Sequence, residues 1–216
     1  MTTTYHSTKQ TLIERITTVA TQQQLPEGTP LTDISLNQDT ICELDNLIIA
    51  LEKQNPNPQP LKDNPELLDG AWQLLYSTAP EIQNLASLPL GFELGKVYQN
   101  IDVASKSFFN QAFCRHRLNL LAGYVLVTAT FSGAPTPADG KPFRKINVDF
   151  QKRSLFIQEV LGLKLPTQKL IQEVEARNPV GRIPSLTITY IDDSLRIGRG
   201  GDGSLFVLEK VDEVRA

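Results

Sequence analysis

Hydrophobic positions change period once along the chain, and the change divides it into two unlike parts. Leu12, Ile13, Ile16, Val19 and Ala20 recur at the spacing of one helix face behind an S-x-x-Q capping box at Ser7–Gln10, which predicts a helix over 8–23. Gln24-Leu-Pro-Glu-Gly-Thr-Pro30 breaks it. A T-x-x-E box at Thr40–Glu43 then opens a second helix with Ile41, Leu44, Leu47, Ile48 and Leu51 on one side. Two amphipathic stripes need covering, so the helices are expected to pack on each other and on the remainder of the protein. Asn55-Pro-Asn-Pro-Gln-Pro60, followed by Pro65, is rigid and poor in donors, and reads as a linker over 55–67 between a helical region, 1–54, and a second region, 68–211.

Past the prolines the period falls from 3.6 to 2. Runs rich in β-branched and aromatic residues occupy 71–77, 97–103, 107–113, 118–131, 143–150, 154–160, 186–191, 194–197 and 204–209, bounded by Gly, Pro, Asn or Asp. Eight or nine short strands at close spacing predict a mainly β (α+β) protein, an antiparallel sandwich or barrel behind a pair of N-terminal helices. Asp192-Asp193 and Gly200-Gly-Asp-Gly203 read as tight turns between the last three strands. Leu170, Ile171 and Val174 suggest a short helix over 167–177, across an opening of the sheet. There are no internal repeats.

With 216 residues, 40% hydrophobic and 21% charged, the chain can bury a sizeable core. Its longest apolar run, Leu120–Val127, falls far short of the roughly 20 residues of a membrane-spanning helix. The net charge of −3 gives no reason to expect nucleic acid, but residues 1–69 carry 4 Lys/Arg against 10 Asp/Glu while 70–216 carry 17 against 14. Cys42 and Cys114 make neither a disulfide framework nor a Cys-rich metal site. The N-terminus has neither a secretory h-region nor an Arg/Ser-rich transit peptide, so the chain is expected to work where it is made or after loss of a leader.

Residues suited to catalysis are scarce. The only histidines are His6 and His116, and Cys114 with His116 lacks a third orienting group. Gly198-Arg-Gly-Gly-Asp-Gly203 lacks the helix and the Lys-Ser/Thr of a phosphate cradle, and Asp192 with Asp193 reads as a turn. Asp149 and Glu159 remain as acids or bases if they face a cavity. No metal or cofactor is expected, and no catalytic residue is assigned. Lys141, Arg144, Lys145, Lys152 and Arg153, with Arg115 and Arg117 near in sequence, could hold the sheet against an anionic lipid surface as a basic rim. Trp72, Tyr76, Tyr124, Phe131, Phe150, Tyr190 and Phe206 are expected to point into one interior, with Trp72 and Tyr76 sharing a face; they would fill it, or line an apolar pocket for a small hydrophobic ligand.

Gly70-Ala-Trp72 is similar to the opening of a lipocalin. Its extension, Leu68-Asp-Gly-Ala-Trp-Gln-Leu-Leu-Tyr-Ser-Thr78, resembles the plastid-lipid-associated protein (PAP/fibrillin) family. Leu186-Thr-Ile-Thr-Tyr-Ile-Asp192, Leu195-Arg-Ile-Gly-Arg-Gly200 and Gly203-Ser-Leu-Phe-Val-Leu208 are similar to that family's closing signature. The resemblance implies a lipocalin-like barrel of about eight strands that associates peripherally with thylakoid membranes or lipid droplets and binds a carotenoid, quinone or acyl lipid without catalysis. It implies that Trp72 closes one barrel end against Arg196 or Arg199, and it adds Arg196 to the ligand set. Within that family, the lack of a transit peptide ahead of the first helix favours a cyanobacterial member, on the cytoplasmic face of the thylakoid or on lipid droplets, over a plastid precursor, unless a leader has been removed. Two alternatives remain: a scaffold with a filled barrel, recruiting a protein through the helices, and a lipocalin-type enzyme acting on an isoprenoid or oxylipin through Asp149 or Glu159.

Overall fold

The computed structural model describes residues 2–135, 140, 142–176 and 181–214. Eight antiparallel strands close into a barrel: β2 (Gly70–Ser77), β3 (Phe92–Asp102), β4 (Ser107–His116), β5 (Leu121–Gly133), β6 (Lys145–Val160), β8 (Ser185–Ile191), β9 (Leu195–Gly200) and β10 (Leu205–Val211). Two strands lie outside the ring. β1 (Leu31–Thr32) runs parallel to the end of β2, and β7 (Leu163–Glu175) pairs only with β6.

The helices α1 (Thr2–Gln22) and α2 (Gln38–Lys53) sit on the outer wall. Asn37, not Thr40, caps α2, its side chain accepting from the Thr40 N–H, and α1 begins six residues before the predicted start. Leu12, Ile16, Val19, Leu44, Ile48 and Leu51 form one core with Tyr190, Leu195, Ile197, Leu205 and Val207 of the wall. Arg15 and Glu43 pair the helices at 2.7 Å, and Arg199 of β9 holds Glu52 of α2 with two hydrogen bonds of 2.7 and 3.1 Å.

A buried charge staples α1 to the barrel. Lys9 Nζ lies 2.7 Å from Asp192 Oδ2, and that carboxylate also accepts from the Tyr190 hydroxyl and from the backbone N–H of Ser194 and Leu195. Burial pushes the Asp192 carboxyl up, but Lys9, Tyr190 and the two N–H donors outweigh it and hold it at about 2.

The segment 55–67 is more ordered than a spacer. Asn55 donates to the Thr189 carbonyl and accepts from the Ile191 N–H, and Asn57 donates to the Ile191 carbonyl. Their amides thus satisfy β8 backbone groups that no strand reaches. Pro60 then opens the one-turn helix α3 (Pro60–Asp63), where its missing N–H costs nothing, and Leu61, Leu67 and Leu68 plug this end of the barrel.

Three local expectations are corrected. Residues 163–175 form β7 rather than a helix, because Leu161 and Gly162, with φ of 50° and 76°, make a two-residue hairpin turn that returns the chain along β6. The runs 143–150 and 154–160 are one strand, joined through a bulge at Gln151. Bulges at Leu75 and Thr189 shift the alternation of β2 and β10 and of β8 and β9 by one residue. Tyr76 and Tyr190 therefore face the helices, and Tyr76 does not share a face with Trp72.

Two predictions follow from this packing. Asp192→Asn leaves the buried Lys9 only the exposed Asp193 carboxylate at 4.0 Å and is expected to cost about 3 kcal/mol at neutral pH in urea denaturation. Because the folded-state value is depressed from 3.8 to about 2, the staple's contribution is complete above pH 4 and lost as pH falls toward 2, and the variant flattens that part of the stability profile. At Gly123 a Cβ would stand 2.0 Å from the Phe156 carbonyl oxygen of the neighbouring strand, so Gly123→Val is expected to cost at least about 2 kcal/mol in the same assay.

Candidate functional site

The barrel ends differ because two seams are short. β2 pairs with β3 only over Gly70–Gln73, and β6 pairs with β8 only over Lys145–Asn147. At the end carrying these seams the ring is tight. Beyond them β3, β4, β5 and β6 run on, and β7 joins β6 from Lys152 to Val160, so five strands project as a curved sheet past the other end.

Trp72 occupies the tight end with no exposed surface, its indole Nε1 donating to the Leu68 carbonyl at 2.9 Å. Arg196 and Lys210 lie 4.9 and 4.6 Å from the ring centre, a cation–π contact from each. Of the two arginines the resemblance implied, Arg196 makes this contact while Arg199 points outward to Glu52. Arg196 is 2% exposed, and burial pushes its guanidinium down to about 9, so it remains charged at neutral pH. One of its terminal nitrogens donates to Gln99 Oε1, Gln99 donates to Asn110, and Arg196 Nε has no hydrogen-bond partner.

Phe131, Phe150 and Phe206 pack with Trp72 in the interior, beside Ile101, Phe108, Ala129, Val148, Ile188 and Ile191. Tyr124 lies on the other face of β5, because five residues of unbroken alternation separate it from Ala129. Its ring stacks on Phe156 at 4.9 Å and meets Phe113 at 5.6 Å, on the outside. Of the eight residues expected to line one pocket, Trp72, Phe131, Phe150, Arg196 and Phe206 converge, and Tyr76, Tyr124 and Tyr190 do not.

Residues that sequence reasoning missed continue the interior. Directly paired residues share a face, so the rows Phe108–Ala129–Phe150, Asn110–Val127–Arg153, Ala112–Val125–Leu155 and Cys114–Gly123–Ile157 extend one surface from the barrel core onto the projecting sheet. Val125, Val127 and Ile157 are half-buried and Leu155 is 40% exposed. The helix α4 (Pro80–Ala86) brings Ile82 and Leu85 against the same interior. The signal for Val125 and Val127 was the period-2 run over 118–131 and that for Leu155 and Ile157 the run over 154–160, both read as strands without a stated face. Two surface pockets lie elsewhere: about 450 Å³ lined by Lys9, Asn57, Asn64 and Asp192, and about 180 Å³ lined by Gln158, Glu159, Lys164 and Gln168.

The cations expected to form one rim are spread out. Lys145 and Arg153 are separated by roughly 25 Å of strand. Arg144 is half-buried within the field of Glu52, Lys152 pairs with Glu173 at 2.9 Å, and Lys141 lies outside the described residues. The catalytic alternatives do not face the barrel interior, although Glu159 lines the smaller surface pocket. Asp149 and Glu159 pair with Thr130 and Ala122 on the outer face, where Glu159 holds Arg115 at 2.8 Å. Burial pushes the Cys114 thiol up to about 11, and His116 accepts from the Leu118 N–H, so the two are not poised as nucleophile and base. No helix among the described residues is long and apolar enough to cross a membrane.

The profile of the PAP_fibrillin family matches residues 23–209. The chain is 31% identical over 197 residues to plastoglobulin-1, chloroplastic, of Pisum sativum, covering 78% of this chain and 54% of that protein. It is 31% identical over 200 residues to probable plastid-lipid-associated protein 3, chloroplastic, of Arabidopsis thaliana, covering 78% and 51%. It is 28% identical over 206 residues to the chromoplast-specific carotenoid-associated protein of Cucumis sativus, covering 82% and 62%. The chain thus spans little more than half the length of these relatives, and no solved structure matches it. Two cations on Trp72 at a tight barrel end, and a family profile running from just after the first helix into the last strand, lead to one assignment: the chain belongs to the PAP/fibrillin family, whose plastid relatives are lipid-associated proteins.

Proposed function

We propose that this protein binds an apolar small molecule, a carotenoid, quinone or acyl lipid, at the open end of its barrel, and that it does so at a thylakoid or lipid-droplet surface in a plastid or cyanobacterium. The observation that carries the reading is the surface that leaves the core through Val127, flanked by Asn110 and Arg153, and widens into the apolar row Ala112, Val125 and Leu155, which stays partly uncovered. Covering ~400 Å² of apolar surface, ligand and protein counted together, contributes ~10 kcal/mol before the cost of association, a driving force that needs no polar anchor. The shape suits an elongated ligand, and the cucumber relative is named for carotenoid association. The role is binding rather than catalysis, since Asp149 and Glu159 stand on the outer face.

A scaffold reading has one supporting observation, the filled tight end, where Trp72, Ile188 and Ile191 are at most 1% exposed. Mass spectrometry of the organic extract from protein purified out of pigment-containing photosynthetic cells separates the two readings. A stoichiometric apolar compound is expected in the wild type. Leu155→Lys, which sets a charge on the open surface without touching the tight end, is expected to retain at least about tenfold less, and Trp72→Leu to lose it through damage to the barrel. A clean extract, with no uptake of an apolar fluorescent probe, would favour the scaffold.

A further inference from the structure

Three loops meet at the far tip of the projecting sheet: the approach to β3 at 89–91, the β4–β5 turn at 117–120 and the β6–β7 turn at 160–163. They are tied to one another, the Arg117 N–H donating to the Gly91 carbonyl and the Leu161 N–H to the Leu120 carbonyl, both at 2.9 Å. Each carries leucine where a turn ordinarily carries polar residues. Leu90 is 86% exposed, Leu118 75%, Leu161 70% and Leu163 73%, with Leu120 and Val160 beside them.

Turn geometry does not account for these leucines. Leu90 and Leu161 have φ of 61° and 50°, in the left-handed region where Gly, Asn or Asp is favoured and a bulky side chain is strained. Leu161 occupies the first central position of a two-residue hairpin turn, where Asn would stabilise the turn and improve solubility. Two strained backbones therefore hold two of the most exposed apolar side chains among the described residues. Just behind them stands a polar collar: Arg115, Arg117, Lys164 and Lys169 against Glu93 and Glu159. An apolar tip backed by a collar with excess positive charge matches the layering of a lipid surface, acyl chains outermost to the tip and anionic headgroups level with the cations.

We infer that this tip is the lipid-docking element: Leu90, Leu118, Leu161 and Leu163 enter the acyl layer, Arg117 and Lys164 meet anionic headgroups, and the open apolar face behind them is presented to the lipid. The inference rests on the proposed lipid-associated function and assigns it a surface distinct from Arg144 and Lys145 at the closed end of the barrel.

The test is co-flotation of the protein with vesicles of phosphatidylcholine containing phosphatidylglycerol. Leu118→Ser with Leu161→Asn and Leu163→Ser is expected to lower partitioning at least about tenfold. Leu161→Asn alone is expected to weaken partitioning while raising the melting temperature, an opposite pair of effects that misfolding cannot produce. Charge reversal at Arg144 and Lys145, at the closed end, is expected to change partitioning less than threefold. In Leu118→Trp, indole emission is expected to shift to the blue on adding vesicles, whereas Trp72, the only native tryptophan, is already buried and stays constant. Equal partitioning of the triple variant and wild type overturns the tip and leaves the lipid reading intact. Loss on reversal of Arg144 and Lys145 alone overturns it in favour of those cations. A wild type that ignores vesicles overturns the tip together with the lipid surface. A triple variant that floats as well as wild type but changes from dimer to monomer in sedimentation assigns the tip to a second copy of the chain.

Discussion

Backbone donors and acceptors of a long strand must be paired on both sides, and β6 meets this requirement with two partners in succession. Its first three residues bond to β8 and close the barrel, while from Lys152 onward it bonds to β7. The change of partner opens the wall. Everything proposed for function, from the uncovered apolar rows to the leucines of the tip, lies on the far side of it, and the tight end is the foundation that lets the projecting strands stand free. β7 is exposed along nearly all its length and paired on one edge only, the place where local opening costs least.

The tight end achieves its order with charge as well as apolar packing. A guanidinium in a barrel core must be compensated, and here Trp72 and Gln99 supply what water would have supplied to Arg196. On the outside, the Lys9–Asp192 staple and the Arg199–Glu52 pair join helices to wall, and the stripes of α1 and α2 are used up in the same contact. The helices are part of the barrel's packing, with mainly polar surface left facing outward.

How much of this could be read from residues alone depended on whether the signal was local. Helical periods and the turn residues at Asp192 and Gly200–Gly203 are local, and they located α1, α2 and the last three strands. The family motifs located Trp72 and narrowed its cation to Arg196 or Arg199, of which register selects Arg196. Bulges at Leu75 and Thr189 leave no mark in a period-2 pattern, yet each turned a tyrosine from the interior to the helices. The spacing of Leu170, Ile171 and Val174 mimicked a helix because an edge strand exposed on both faces has no alternation to keep. Lys9 and Asp192, 183 positions apart, and the shared face of Val125 and Leu155 are products of register, which only the folded chain displays. Leucine at left-handed turn positions was likewise invisible until the turns were seen.

The central claim is a division of labour between a rigid closed end and an open, lipid-facing sheet. Amide hydrogen exchange with and without phospholipid vesicles tests it most directly. The account predicts strong protection of β2, β8, β9 and β10 in both states, fast exchange in β7 and the 117–120 and 160–163 turns when free, and slowing confined to those turns, β7 and the outer half of β6 when lipid is present. Slowing confined instead to α1 and α2, or uniform protection of all ten strands without lipid, would contradict it.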